Sequence, residues 1–414
     1  MGAGLKRLFF GLALLLCFGP ALARPNTCEL APRPAVTPLN QCLGPHRTSI
    51  AAVGDVLLHG RLQREGYAHA QGFGALWGAL DPVFLAADVS YANLEGPVAA
   101  GTTRSFRASP DPGPRFDNRV YTSFPMFNYH SMVLDNLKTS GIDIVSTANN
   151  HAMDRGSVGR ELTDAALAQR GLLFSGTIKA GAARDFVAYT PTKMGRIAWI
   201  ACSFSTNGVP DPKRQVLLCY ADQEELLATV RALAGRPDIA AIFVTPHWGI
   251  EYTASPNTRQ KALARALAGA GATAIVGTHP HVLQPWETLP NAGGGASLAI
   301  YSSGNFVSGQ RHQARRSSIL AWIDLCAPHP SGDLGRDIGA KLVVDQATWL
   351  PLWMDYTAQG VRLSMNHTGR SGQAAAALNA ARRLLPSGAM WDFEGWQLDS
   401  CRQQSADIGG GLLQ

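Results

Sequence analysis

The segment Gly277-Thr278-His279-Pro280-His281 sets two imidazoles one residue apart, directly after the apolar run Ala272-Thr273-Ala274-Ile275-Val276. Paired imidazoles of this kind suit a transition-metal ion. Four other apolar runs, each able to form a buried strand, end in residues of matching chemistry. Ser49-Ile50-Ala51-Ala52-Val53 leads to Gly54-Asp55, and Asp88-Val89-Ser90-Tyr91-Ala92 leads to Asn93-Leu94-Glu95. Ile142 to Thr147 leads to Asn149-Asn150-His151, and Ala240 to Val244 leads to Thr245-Pro246-His247-Trp248. One histidine at a strand end is commonly a structural donor, and Asp after Gly is commonly a turn residue. Their recurrence at the same structural point makes the stronger case, because strand ends of an α/β sheet converge on one edge. Mixed carboxylate, amide and imidazole donors favour Zn, Mn or Fe over Ca or Mg.

Such a donor set suits metal-assisted hydrolysis. A pair of divalent ions lowers the pKa of a shared water and neutralises charge building on a phosphoryl oxygen. His151, with an ordinary pKa near neutrality, suits protonation of a leaving oxygen. The alternative is a buried histidine that caps the turn after its strand. Trp248, Glu251 and Tyr252 follow His247 closely, where they either line a substrate pocket or serve packing.

The runs that carry these residues alternate with helical patterns. Ser131 to Lys138 places Val133, Leu134 and Leu137 on one face before Gly141, and Ser157 to Arg170 does the same with Leu162, Ala166 and Leu167. Gly171 can supply a left-handed helix stop. A third pattern runs from Asn257 to Ala270, before Gly271. Residues 100–130, rich in Arg, Pro, Asp and Phe, form a long insertion expected near the site and suited to substrate selection. Beyond Ile323 the pattern thins: 327–340 reads as loop, 341–365 as strands and 371–386 as helix.

In order along the chain stand Gly54-Asp55-Val56-Leu57-Leu58, Asn93-Leu94-Glu95, Asn149-Asn150-His151-Ala152-Met153-Asp154-Arg155-Gly156, His247-Trp248-Gly249-Ile250-Glu251-Tyr252, His279-Pro280-His281-Val282 and Tyr301-Ser302-Ser303-Gly304-Asn305-Phe306. This ordered set, over roughly residues 47–325, resembles the CapA capsule-synthesis family, associated with poly-γ-glutamate and belonging to the calcineurin-like metallophosphoesterase superfamily. The resemblance implies an α/β fold, a four-layer α-β-β-α sandwich with the metal site at the C-terminal ends of its strands. It puts Asp55 and His281 on one metal, Asn150, His247 and His279 on the other, and Glu95 between them. It makes His151 a general acid or oxyanion contact, with Asp154 orienting its ring. Asn93 would sit beside Glu95; Asn93, Trp248, Glu251 and Asn305 are the candidate substrate contacts. Leu57 stands where superfamily members carry a histidine two places after the first Asp. His59 either replaces that histidine or points to solvent.

Lys6 and Arg7, the apolar stretch from Leu8 to Phe18 and Ala21-Leu22-Ala23 make the three parts of a secretory signal. The expected organisation is a signal peptide over 1–23, an N-terminal segment over 24–46, the catalytic-type domain over 47–325 and a C-terminal extension over 326–414. The mature protein is expected in the periplasm or secreted, or membrane-associated if the signal stays uncleaved. Cys28, Cys42, Cys202, Cys219, Cys326 and Cys401 then form an even set in an oxidising space. Short loops favour Cys28–Cys42 and Cys202–Cys219, leaving Cys326–Cys401. The hydrophobic fraction of 46% is ample for a full core, and the net charge of +6 is mild. Arg311, Arg315 and Arg316 form a basic cluster that either attracts an anion or is a solvated loop. No nucleic-acid motif is present. Two functions fit: a metal-dependent, phosphoesterase-like hydrolase acting on an anionic polymer or phosphorylated envelope substrate, or a non-catalytic accessory protein for polymer assembly or export. Either would work with membrane-bound capsule synthesis machinery.

Overall fold

Alternation along each strand decides which layer a side chain joins. In β1 (Arg47–Leu57), Ile50 and Ala52 face a core between two sheets, while Ala51 and Val53 face an outer helical layer. The computed structural model describes residues 30, 33–40, 42, 46–328, 341–366, 372–386 and 388–391. The leader-like segment 1–23, Cys28 and Cys401 lie outside the described residues.

The first sheet runs from the strand Gly360–Met365 (β14) through Val343–Thr357 (β13) and Ser317–Cys326 (β12) to β1 and then three further parallel strands, with Val307–Ser308 (β11) also pairing with β1. Its parallel centre comprises β1, β2 (Val89–Leu94), β3 (Ile144–Ser146) and β4 (Leu173–Ser175). The second sheet has the order β5-β6-β7-β8-β10-β9. Within it β6 (Gly195–Ser203), β7 (Ile239–His247), β8 (Ala274–Val276) and β10 (Ala296–Ser303) run parallel, flanked by antiparallel β5 (Val187–Thr192) and β9 (Leu283–Pro290). Ile50, Tyr91 and Ile144 of the first sheet pack against Trp199, Phe243, Val276 and Ile300 of the second, and Tyr91 stacks on Trp199 with ring centres 5.5 Å apart. Val133, Leu134, Leu137 and Leu167 cover the outer face of the first sheet; Leu226, Val230, Leu263 and Leu267 cover that of the second. The result is the four-layer α-β-β-α sandwich.

The helices form where the periodicity places them. Met132–Ser140 ends on Gly141 at φ 100°, Gly156–Gln169 runs to Gly171 at φ 59°, and Thr258–Ala270 ends on Gly271 at φ 110°. Asn257 caps the last helix through a reciprocal pair with Gln260. Past residue 326 the first sheet continues: β13 (Val343–Thr357) pairs antiparallel with β12 (Ser317–Cys326), and β14 (Gly360–Met365) pairs antiparallel with β13. The helix Gly372–Leu384 packs Leu378 and Ala381 into the inter-sheet core.

The cysteine pairing differs from the expectation at two bridges. Cys202–Cys219 forms, but Cys42 bonds Cys326, not Cys28, and Cys326 is therefore not joined to Cys401. The reason is the path of residues 33–42 along the sheet. Arg33 pairs with Asp324, the Leu39 amide donates to Asp345 O at 2.6 Å, and Asn40 Nδ2 donates to Val344 O at 2.7 Å. These contacts lay Cys42 beside the end of β12, so position on the sheet overrides proximity in sequence.

A bulge between Ala52 and Asp55 shifts the β1–β2 register, re-aiming the end of β1. There Gly54 lies so near the second sheet that an added Cβ would fall 1.8 Å from Gly304 O. Gly54→Ala should therefore destabilise the protein by at least about 1–3 kcal/mol, read as a lowered midpoint in denaturant. An unchanged midpoint would show that the crossing is looser than described. Mass mapping without reduction should recover Cys42–Cys326 and Cys202–Cys219; recovery of Cys28–Cys42 would contradict the fold of the N-terminal segment.

Candidate metal centre

The parallel strands of both sheets end on one edge, and each end delivers a polar group. Asp55 lies in β1 after the bulge, Glu95 follows β2, and Asn150 and His151 follow β3. His247 ends β7, while His279 and His281 follow β8. Both of the latter adopt left-handed backbone, φ 96° and 58°, which turns successive side chains of the His-Pro-His segment into the same cleft. A non-glycine residue in this region carries local strain that the surroundings must hold in place. Gly277 makes the turn possible: a Cβ there would lie 2.2 Å from Tyr301 O.

The donors fall into two groups that share one carboxylate. Glu95, His247 and His279 have ligand atoms within 4.8 Å of one another, as do Asp55, Glu95 and His281. His247 Nε2 lies 3.5 Å from Glu95 Oε1 and 2.9 Å from Asn150 Oδ1. His281 Nδ1 lies 3.2 Å from Asp55 Oδ2, and its Nε2 lies 3.9 Å from Glu95 Oε1. Asp55, Glu95 and His247 are fully buried.

Both carboxylate oxygens of Glu95, and Nδ1 of His279, are buried with no hydrogen-bond partner. A carboxylate so placed costs several kcal/mol unless a positive charge compensates it. Burial pushes the Glu95 carboxyl up, yet the neighbouring His281 and His247 hold it well below the usual carboxylate range. Burial opposes charging of His281 too, but Glu95 and Asp55 raise it to about 9. His279 goes the other way: burial and the charges of His247 and His281 push it well below its ordinary value. An anionic bridge among imidazole nitrogens, with unpaired atoms converging on one space, fits one or two divalent cations.

Neighbouring groups hold these donors. Thr278 Oγ1 lies 2.9 Å from His247 Nδ1, orienting the ring so that Nε2 faces Glu95. Asn93 Nδ2 donates to Asp55 Oδ1 at 2.7 Å, and Asn305 Oδ1 lies 2.9 Å from His281 Nδ1. Both amides are buried against the donors they hold. Trp248 is likewise not at the surface of the site: it is fully buried, donates Nε1–H to Tyr301 O at 3.0 Å and packs in the second sheet's helical layer. Glu251 is exposed on the rim, with a ligand atom near those of His279 and His281.

His151 Nδ1 lies 2.8 Å from Asp154 Oδ2, which also accepts the Phe127 amide at 2.6 Å. Burial works against a charge on His151, but the hydrogen bond and charge of Asp154 outweigh it and raise its pKa. Phe127 meets the His151 ring edge-on at 4.8 Å, so the 100–130 insertion does reach the site. Tyr129 from the same insertion donates to Glu95 O at 2.6 Å.

His59 takes neither expected course. Its ring is largely buried, with Nδ1 3.1 Å from the Gly309 amide and 3.2 Å from Leu57 O, and lies edge-on to Phe127. Burial depresses its pKa to about 4. Leu57 itself points into the helical layer of the first sheet. Among the described residues, neither joins the donor groups. Phe204, whose ring centre lies 4.3 Å from that of His279, and Asn207, 3.3 Å from Asn150, also border the site. The signal for them is the apolar run Ile197 to Cys202, another strand whose end reaches this edge.

A family model described as bacterial capsule synthesis protein PGA_cap matches residues 49–310. The PGA biosynthesis protein CapA of Bacillus subtilis is 29% identical over 313 residues, 75% of each chain. The capsule biosynthesis protein CapA of Bacillus anthracis is 26% identical over 67% of this chain, which spans 64% of that relative. Among solved structures, the NAD nucleotidase of Haemophilus influenzae aligns with 88% of this chain and 60% of its own, at TM-score 0.44 and 10% identity. A putative 5'-nucleotidase from Staphylococcus aureus aligns with 74% of this chain and 54% of its own, at TM-score 0.43 and 14% identity. With the matched region spanning all six motifs of the site, the chain belongs to the PGA_cap family of bacterial capsule synthesis proteins.

Proposed function

We propose that the protein is an exported metal-dependent hydrolase of phosphoesterase type, acting on an anionic capsule or envelope polymer or its phosphorylated precursor. The observation that carries this reading is the pair of donor groups sharing buried, unpartnered Glu95. Asp55 and His281 would hold one ion and Asn150, His247 and His279 the other, with Glu95 common to both. Divalent Zn, Mn or Fe bound there would supply an activated water and neutralise phosphoryl charge. His151, its Nδ1 fixed by Asp154, keeps Nε2 available to protonate a leaving oxygen. Phe127 and Phe204 pack against the His151 and His279 rings at this edge. The paired cysteines favour an oxidising compartment, and no helix among the described residues is long and apolar enough to cross a membrane.

A second reading, an accessory protein that aids polymer assembly or export beside membrane-bound machinery, draws on Leu57. That side chain, at the place where the superfamily carries a histidine, is buried in the helical layer of the first sheet.

Purified protein should contain metal and hydrolyse a generic aryl phosphate, and His247→Ala should lose both. Chelation should lower the melting temperature, since an ion at one hundred times its dissociation constant stabilises by about 2.7 kcal/mol. Full activity without metal would sink the hydrolase assignment; metal without turnover on any phosphoester would favour the accessory role. His151→Ala should keep its metal yet lose turnover roughly 10²–10⁴-fold on substrates with poor leaving groups. The deficit should shrink for acidic leaving groups, which need no proton. Equal losses for both substrate types, or loss of metal, would reject the proton-donor role.

A further inference from the structure

The rim of the cleft carries a half-buried cation. Arg315 lies over the Tyr252 ring, its guanidinium carbon 3.4 Å from the ring centre. Its Nε is buried without a partner, and among the described residues no carboxylate lies within ion-pair distance of its guanidinium. The neighbouring arginines differ. Arg316 donates Nε–H to Met354 O at 2.7 Å and a terminal N–H to Gln373 Oε1 at 2.8 Å, and it packs on Trp353. Arg311 is exposed and lies 5.7 Å over Tyr356. Of the basic cluster, Arg315 is the half-buried member whose guanidinium has no hydrogen-bond or ion-pair partner among the described residues.

Its position is tied to the donors by two routes. Asn305, whose Oδ1 lies 2.9 Å from His281 Nδ1, donates through Nδ2 to Arg315 O at 2.9 Å. Tyr252, at left-handed φ 63°, donates its amide to Pro280 O at 2.8 Å, between the two histidines, and its ring centre lies 6.0 Å from that of His281. The turn that holds His279 and His281 therefore also holds the Tyr252–Arg315 stack. Glu251 is the negative group on this rim, and it lies with His279 and His281.

We infer that Arg315, stacked on Tyr252 at the mouth of the metal centre, binds a carboxylate of a polyanionic substrate chain. A guanidinium held against an aromatic ring keeps its terminal N–H groups available to donate, and a carboxylate can accept from both. Stacking immobilises it before substrate arrives, which lowers the ordering cost of binding. A chain with a carboxylate on each unit could then set one unit on Arg315 while another part lies over the metal donors. This assignment rests on the proposed hydrolase site for its direction, but binding to Arg315 does not require turnover.

The test is binding of short poly-γ-glutamate oligomers, their methyl esters and inorganic phosphate to full-length protein, by calorimetry, with and without chelator. Wild type should bind the oligomers and not the esters. Arg315→Gln should weaken oligomer binding roughly tenfold or more, the loss of a charge-assisted pair, and leave phosphate binding and the melting temperature unchanged. Arg315→Lys should recover part of the loss, keeping charge without the fork. Arg311→Gln should bind as wild type. The inference is overturned if wild type binds no oligomer, if the esters bind equally well, if Arg315→Gln binds like wild type, or if it loses phosphate instead. A normal Arg315 effect in a protein without hydrolytic activity would overturn the hydrolase reading alone. Hydrolysis with an unaltered Arg315→Gln would overturn this one alone.

Discussion

A carboxylate with no hydrogen-bond partner, fully buried at the meeting of two sheets, sets the terms for everything around it. Glu95 can remain charged there only because imidazoles of the opposite sheet face it, with His247 Nε2 at 3.5 Å and His281 Nε2 at 3.9 Å. Uncompensated, such a charge would cost several kcal/mol. The sandwich therefore cannot close at this edge in another register without stranding the charge. The first sheet supplies Asp55, Glu95 and Asn150, the second His247, His279 and His281, so neither sheet holds the centre alone.

Close approach is the second constraint. Gly54 lies against Gly304 O and Gly277 against Tyr301 O, at places where any side chain would collide with backbone. The bulge before Asp55 and the left-handed conformations of His279 and His281 aim donors that a regular strand end would scatter. The local strain is held by packing on both sides. Trp248 belongs to this support: it fills the space beneath the histidine turn and bonds Tyr301 O.

The strand runs, their order and the donor residues were legible because apolar runs ending in Asp, Glu, Asn and His carry period and chemistry together. The helix ends at Gly141, Gly171 and Gly271 were legible for a similarly local reason, since glycine alone adopts their backbone at no steric cost. What escaped was tertiary. Asn93, Asn305 and Trp248 have residue types suited to substrate, yet all three are buried, Asn93 within β2, Trp248 just after β7 and Asn305 just after β10. His59 follows Asp55 closely, but its ring is held beside Gly309 and Phe127. Arg315 could be seen only as one of three arginines, because what separates it from Arg316 is which partners the fold supplies. The disulfide partner of Cys42 depended on a segment lying along β12 and β13, a contact no spacing encodes.

That bridge joins residues 284 positions apart. A chain made from its N-terminus exposes Cys42 as a thiol until nearly the whole sandwich has emerged, whereas Cys202 meets Cys219 after only 17 residues. Closure of short loops is entropically easier than closure of long ones, so the nearest thiol to Cys42 during synthesis is a wrong one in Cys28. If Cys42 pairs there first, the native bridge needs thiol–disulfide exchange after β12 has joined its sheet. The place where one short segment docks thus makes the N-terminal bridge the last to close, with the sandwich around Cys202–Cys219 formed before it.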